Sequence, residues 1–279
     1  MSYVNSFEDY IDDFFHFVES LSSSSKFILV GHSMGGMIAL NVAARQPHLF
    51  TSVTANAPMI CFKTDGWPWP VAGFLGKFFC SVGLGSQFAI GSPQPHWEPT
   101  SLNFGQQTTH SVARLSKYLA QRKQHPCVCL AGPSFKWILE SYLFCDKFMS
   151  TYITNKSPFP LPTLLFMETR DRFVKESAVT DFHEAQKHIV KKVVYEGAYH
   201  ELFSEANEIR SHALTTLFDF IDVDESKMTE RTFDTTTVDF SNVVDETLIV
   251  EKKSLASTFL TAAVSSLIIL GLGRKYGVI

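Results

Sequence analysis

A serine set between glycines, an acidic turn and a late histidine are the residues of this chain best suited to nucleophilic chemistry. Gly31-His32-Ser33-Met34-Gly35 has the form Gly-x-Ser-x-Gly, with the apolar run Lys26 to Val30 before it and the helical pattern MIALNVAARQP after it. A serine between a strand and a helix must sit in a tight turn that lifts its hydroxyl above the strand end. Side chains at 31 and 35 would strike the neighbouring strand or helix. The helix that starts there aims backbone N–H groups at the same point, so the Met34 N–H is the expected donor to an oxyanion. No Lys-Ser or Lys-Thr follows the glycines, which excludes a phosphate-binding P-loop.

A serine hydroxyl needs a base, and the base needs a carboxylate that holds its tautomer. Glu168 and Asp171 both stand just past the apolar run LLFM. Asp171 is deeper in the turn, followed by Arg172-Phe173-Val174, and is the expected acid; Glu168 is expected to shape the turn. His200 follows VKKVVYEGAY, after a glycine-containing turn and just before a helix, and is the expected base. His183, His188 and His212 fall on predicted helices, poor positions for that role. His32 adjoins Ser33, but its side chain points the other way on such a turn, so it reads as structural or pocket-lining.

The elements that must carry these residues alternate. Phe7, Tyr10, Ile11, Phe14, Phe15 and Val18 recur at helical spacing over 7–20. A buried strand at 26–30, a helix ended by Pro47 and a strand at 53–56 follow, giving a doubly wound α/β pattern. Residues 60–157 break it with dense Gly, Pro, Trp and Phe and helical stretches near 110–124 and 134–149, which predicts a helical cap inserted over the sheet edge. The pattern resumes over 158–222 with a strand before Glu168, a helix at 176–188, a strand at 189–195 and a closing helix at 202–221. Residues 223–253 read as a linker with one weak strand at 247–250.

The chain has 279 residues and a formal net charge of -4, and no run of Lys or Arg, which argues against a nucleic-acid partner. Its five cysteines are too few and too scattered for a disulfide scaffold or a zinc site. The first nineteen residues carry five acidic side chains and no basic leader, unlike a secretory signal.

With these pieces in place, the chain resembles the α/β-hydrolases of the lysophospholipase L2 and monoacylglycerol lipase group, also classed with the serine aminopeptidase S33 hydrolases. GHSMGGMIALNVAARQPHLF, TANAPM, the THS of QQTTHSVARL, GPSFKWILES, ETRDRFV and GAYHELFSE carry the resemblance, which runs in outline over 7–221. It implies Ser33 as nucleophile, Asp171 as acid, His200 as base and Met34 as oxyanion donor, with 1–59 and 158–222 as the core and 60–157 as the cap. Trp67, Trp69, Phe74, Phe78 and Phe79 would then suit acyl-chain or membrane contact, or the cap's own packing. No metal or organic cofactor is implied. Members of the group begin with several strands and a His-Gly loop that gives a second oxyanion N–H. No His-Gly dipeptide occurs in this sequence. The resemblance therefore implies an N-terminally truncated fold, an open edge beside strand 26–30 and impaired activity.

Residues 254–273, SLASTFLTAAVSSLIILGLG, carry no charge over twenty residues and lie between Lys252-Lys253 and Arg274-Lys275. That length suits a single membrane-anchoring helix. The alternatives are an amphipathic helix on the membrane surface or an element packed on the protein. The expected location is a membrane, with the domain on the cytoplasmic face. Two functions follow. One is a serine hydrolase cleaving fatty-acyl esters of lysophospholipids or monoacylglycerols. The other is a non-catalytic, membrane-anchored lipid-binding remnant of the group. A peptidase would call for an acidic or polar site for a free amine, which the aromatic-rich 60–157 does not offer.

Overall fold

The computed structural model describes residues 1–21, 26–64, 66–91, 108–125, 130–221 and 234–243, and the backbone of Leu267–Leu270. Its centre is a sheet of β1 (Phe27–His32), β2 (Phe50–Asn56), β3 (Thr163–Glu168), β4 (Val190–Glu196), β5 (Thr235–Asp239) and β6 (Leu267–Leu270), in the order β5-β4-β3-β2-β1-β6. Strands β1 to β5 run parallel and β6 runs antiparallel to β1. All six residues of β1 are buried, which explains its unbroken apolar run. Successive side chains go to opposite faces. Phe27, Leu29 and Leu165 join one core; Ile28, Val30, Leu164 and Phe166 join the other.

The first core lies under helices α1 (Phe7–Ser20) and α2 (Met34–Arg45). Ser6 starts α1 with a capping box: its hydroxyl accepts from the Glu8 N–H and the Asp9 carboxylate accepts from the Ser6 N–H. Phe7, Ile11, Phe14 and Val18 turn inward, as their spacing predicts. The residues after Glu168 lead into α6 (Glu176–Ala185), on the same core, and β4 leads to α7 (Asn207–Ile221), which covers the second core with Ile209, Ala213, Leu217 and Phe220.

The insertion contributes α3 (Trp69–Ser81), α4 (Val112–Gln124) and α5 (Phe135–Met149), the last running on into a wide turn at Ser150–Thr154. It is rooted in the domain rather than laid over it, because Trp137, Phe144, Cys145 and Phe148 of α5 belong to the first core beside Phe7. Helix α3 presses its glycines on α5. A Cβ at Gly73 would lie 2.5 Å from the Tyr142 ring and one at Gly76 3.1 Å from Leu139.

Three expectations need correction. The segment 223–253 is not linker throughout: β5 pairs Thr235 to Asp239 with Lys192 to Glu196 of β4. Its β-branched residues favour a strand, but its mostly exposed edge position leaves no apolar run to read. The expected strand at 247–250 lies outside the described residues. The helix expected at 202–221 is split into a 3-10 turn, Leu202–Ser204, and α7, with Glu205 between them. The helix expected at 176–188 stops at Ala185, so His188 sits in a turn.

Of the uncharged stretch 254–273, residues 254–266 and 271–273 lie outside the described residues. Leu267–Leu270 run as a strand along β1, Gly31 opposite Leu267 and Ile28 opposite Leu270, so these four are not helical. The β1 edge, expected to be open, is paired there, which satisfies backbone groups an edge strand would leave bare. No helix among the described residues is long and apolar enough to cross a membrane.

The turn after β4 depends on Gly197, at φ 86°, where a Cβ would stand 2.7 Å from Ser241. Gly197→Ala is expected to cost about 1–3 kcal/mol of stability from backbone strain alone, and more if β5 is displaced. A urea midpoint unchanged from the wild type would contradict this placement.

Candidate active site

Ser33 stands between the end of β1 and the start of α2 at φ 53° and ψ -120°, a conformation unfavourable for any residue with a side chain. Its neighbours hold it there. The Ser33 N–H donates to the Asn56 carbonyl at 2.9 Å, and the Ser33 carbonyl accepts from the Met59 and Met37 N–H groups at 2.9 and 3.1 Å. A Cβ at Gly31 would lie 2.4 Å from the Gly35 carbonyl oxygen, and one at Gly36 3.2 Å from Pro58. The glycines thus let strand, turn and helix close on one another. Met34, the first residue of α2, faces the same cavity as Ser33.

Asp171 and His200 come from the turns after β3 and β4 and meet at the same sheet end. His200 Nδ1 lies 2.7 Å from Asp171 Oδ2, and both side chains are buried. The other oxygen, Asp171 Oδ1, accepts from the backbone N–H groups of Phe173 and Val174, at 2.6 and 3.1 Å. Burial pushes the Asp171 carboxyl up, but His200 and those two N–H groups outweigh it and hold the group below its ordinary value. The His200 ring is bracketed by Phe173 at 4.9 Å and His32 at 4.6 Å between centroids. No hydrogen bond joins His200 Nε2 to Ser33, and Nε2 has no partner among the described residues. Such contacts are often long until substrate binds.

Glu168, the other acid considered from sequence, does not reach His200. It is buried at the end of β3, and neither carboxylate oxygen has a hydrogen-bond partner among the described residues. Burial, and then the charge of Asp171, push it well above the ordinary carboxylate range. His183 and His212 lie on helices as expected; His212 Nδ1 is 3.0 Å from the Tyr195 hydroxyl.

Glu205 escaped the sequence reading. Its buried carboxylate accepts from the backbone N–H groups of His110 at 2.8 Å, Tyr199 at 2.9 Å and Ala206 at 3.0 Å, and sits 2.9 Å from His110 Nδ1. Thr109 Oγ1 donates to the Ser204 carbonyl at 2.7 Å, and Arg114 of α4 to the Glu205 carbonyl at 2.8 Å. These bonds fasten the THS segment of the cap to the loop that carries His200. The nearest sequence signal was the THS match, which carries no partner information.

Beside Ser33 and Met34 opens a cavity of about 250 Å³, walled by Met59, Leu75, Phe135, Trp137 and Phe173. The aromatic residues of the cap divide. Trp69 is packed between Phe62 and Tyr142, each 4.8 Å away, and Phe79 stacks on Phe135 at 4.0 Å. Trp67, Phe74 and Phe78 are 60%, 65% and 49% exposed. Arg172 lines the cavity and is exposed. Cys61, Cys80 and Cys145 are free thiols, while Cys127 and Cys129 lie outside the described residues. Among the described residues no cluster of His, Cys, Asp and Glu is placed to hold a metal.

A parallel sheet with a serine turn after β1, an acid after β3, a histidine after β4 and an inserted helical cap defines an α/β-hydrolase fold. The model of the serine aminopeptidase S33 family, Hydrolase_4, matches residues 1–207, and the chain belongs to that family. It is 27% identical to lysophospholipase L2 of Escherichia coli K12 over 229 residues, 79% of this chain and 65% of that protein. The chain thus spans slightly under two thirds of that relative's length. The fold is similar to a soluble variant of monoglyceride lipase from Saccharomyces cerevisiae, with TM-score 0.59 and 20% identity over 78% of this chain and 70% of the other. It is also similar to the monoacylglycerol lipase of Paleococcus ferrophilus, with TM-score 0.58 and 18% identity over 77% and 75%.

The buried Glu168 gives a pH test of this geometry. A carboxyl whose folded value is raised is neutral in the core, so its stabilising effect is full below the unfolded value and lost as pH rises. Glu168→Gln is expected to leave stability unchanged near pH 4 and to raise it progressively toward pH 8. Melting temperatures across that range check it; a constant offset would contradict a neutral, buried Glu168.

Proposed function

We propose that the chain is a serine hydrolase that cleaves fatty-acyl esters of lysophospholipids or monoacylglycerols. The observation that carries the reading is the 2.7 Å Asp171–His200 pair at the sheet end that holds Ser33, at the head of an apolar cavity. Ser33 Oγ attacks the ester carbonyl carbon as His200 Nε2 takes its proton. The carbonyl electrons move onto oxygen, and the Met34 N–H receives that charge. Asp171 fixes the Nδ1–H tautomer and stabilises the imidazolium. When the carbon–oxygen bond breaks, His200 gives its proton to the leaving alcohol. Water, deprotonated by His200, then attacks the acyl-serine; the acyl carbon–Oγ bond breaks, His200 returns the proton to Ser33 Oγ, and the fatty acid is released. Nothing in these steps calls for a metal or an organic cofactor.

The acyl chain would lie in the apolar cavity, and Trp67, Phe74 and Phe78 would meet the lipid from which the substrate is drawn. The exposed Arg172 guanidinium at the cavity supports including esters with a phosphate in the head group. The relatives named as lysophospholipase and monoacylglycerol lipase support the same substrate classes.

A panel of lysophospholipid and monoacylglycerol esters tests the reading. Activity is expected in the wild type, with kcat/KM falling on the order of 10⁶-fold in Ser33→Ala and 10⁴-fold in Asp171→Asn, the sizes that breaking a serine triad at those points produces. Wild-type turnover that survives Ser33→Ala would overturn it.

We also propose that the segment 254–273 anchors the protein to a membrane, with the domain on the cytoplasmic face, in a state in which Leu267–Leu270 have left β1. Carbonate extraction of membranes from cells making the full chain, or a chain ending at Lys253, tests the anchor. The full chain is expected to stay with the membrane and the shortened one to be released. Release of both would count against the anchor and in favour of a segment held on the β1 edge.

A further inference from the structure

Beside the Asp171–His200 pair lies a second carboxylate–imidazole pair that the steps above do not use. His32 Nε2 is 3.2 Å from Glu201 Oε1. On the other side of that ring, His32 Nδ1 is 2.9 Å from the Asn56 side-chain amide nitrogen. The ring lies against His200, with centroids 4.6 Å apart and planes at 56°. Glu201 is the residue next to His200, and its backbone N–H donates to the Thr108 carbonyl at 2.8 Å. The loop bearing the base is therefore held at Glu201 from two sides: by β1 through the side chain and by the cap through the backbone.

The two ends of the ring differ: Nδ1 is hydrogen-bonded by Asn56, whereas Nε2 meets Glu201 as an ion-pair contact without hydrogen-bond geometry. With the Asn56 amide donating to Nδ1, His32 is neutral and its Nε2–H faces Glu201. Asn56 Oδ1 has no partner among the described residues. Turning the amide over would present that oxygen to an Nδ1–H, so Asn56 can serve the imidazolium equally well. In either state Glu201 remains the anionic partner. Burial works against that charge, and His32 and then His200 more than offset it, holding the carboxyl below its ordinary value. For His32, burial opposes the charged ring, while Glu201 and then Asp171 favour it and prevail. The charged or titratable groups around the pair are Asp171 and Glu168 after β3 and His200 and Glu205 after β4. Glu168 is the one that burial pushes well above the ordinary carboxylate range.

We infer that His32 and Glu201 are positioning residues for His200: the pair props the base ring against the Asp171 grip and sets a second carboxylate on the residue next to it. Asp171 supplies one negative charge to the imidazolium at hydrogen-bond distance. Glu201 supplies a second from the neighbouring residue, partly balanced whenever His32 is protonated. The inference rests on the serine-hydrolase reading for its effect on turnover, though not for its effect on the ring.

Two measurements on the full chain separate these. The first is the pH profile of kcat/KM for Glu201→Gln and Glu201→Asp. The isosteric amide removes the charge and keeps the shape, so the acid limb is expected to move down by roughly one pH unit, the net effect of a nearby carboxylate whose charge His32 partly balances. The rate on the plateau is expected to fall about tenfold, and Glu201→Asp to restore most of the limb's position. The second is the NMR titration of the His200 ring in Ser33→Ala and in the Ser33→Ala/Glu201→Gln double variant, which needs no turnover. The same downward displacement is expected there. An acid limb and a ring titration both unmoved by Glu201→Gln would overturn the inference and leave the pair a packing contact. A displaced ring titration in a chain without ester hydrolysis would uphold the pair and count against the serine-hydrolase reading instead.

Discussion

Ser33 at φ 53° is the constraint on which the rest of the structure depends. A residue with a side chain held in that region costs on the order of 1–3 kcal/mol, and the cost persists only where surrounding contacts over-determine it. Here they do. The Asn56 carbonyl takes the Ser33 N–H, the Met37 and Met59 N–H groups take its carbonyl, and Gly31 and Gly36 let β1, α2 and the Pro58 turn approach within contact distance. The buried β1 and the α2 residues Met37 to Ala43 lock both sides of the turn into one core. The hydroxyl is thus raised above the sheet by a framework that has no cheaper arrangement.

His200 is positioned by a different kind of contact. Ser33 is set by backbone geometry, whereas His200 is set by buried charge. Asp171 grips its Nδ1, the next residue, Glu201, meets His32 in an ion pair, and Glu205 ties the same loop to His110 and Thr109 of the cap. Four carboxylates thus gather under one sheet end, three of them partnered and Glu168 left without a partner among the described residues. Like charges at such spacing repel, and the arrangement holds because each ionised member has N–H donors or an imidazole against it. The cap and the loop that carries His200 are consequently one hydrogen-bonded unit, and a movement of the 108–111 segment would be felt at His200.

The sequence showed most clearly what depends on neighbours in the chain. Gly31, Ser33 and Gly35 announce the turn because its steric demands are local, and the unbroken apolar run of β1 and the helical patterns of α1 and α2 need no knowledge of the fold. The order of Ser33, Asp171 and His200 along the chain anticipated where the turns would meet. Glu205 and Glu201 were not legible, because their partners His110 and His32 are 95 and 169 residues away and no spacing rule links them. The strand β5 was missed for the opposite reason: Thr235 to Asp239 are mostly exposed, so the apolar signal of a strand is absent. Which cap aromatics are packed and which are exposed was legible only from neighbours in space, with Trp69 and Phe79 packed and Trp67, Phe74 and Phe78 exposed.

If these elements make Ser33 a nucleophile, reaction of the full chain with a fluorophosphonate, followed by intact-mass analysis and peptide mapping, gives a single adduct on the peptide containing Ser33, formed quickly near neutral pH and slowed strongly in His200→Ala. A folded chain that takes no adduct, or takes it at another residue, would show that Ser33 is not the nucleophile.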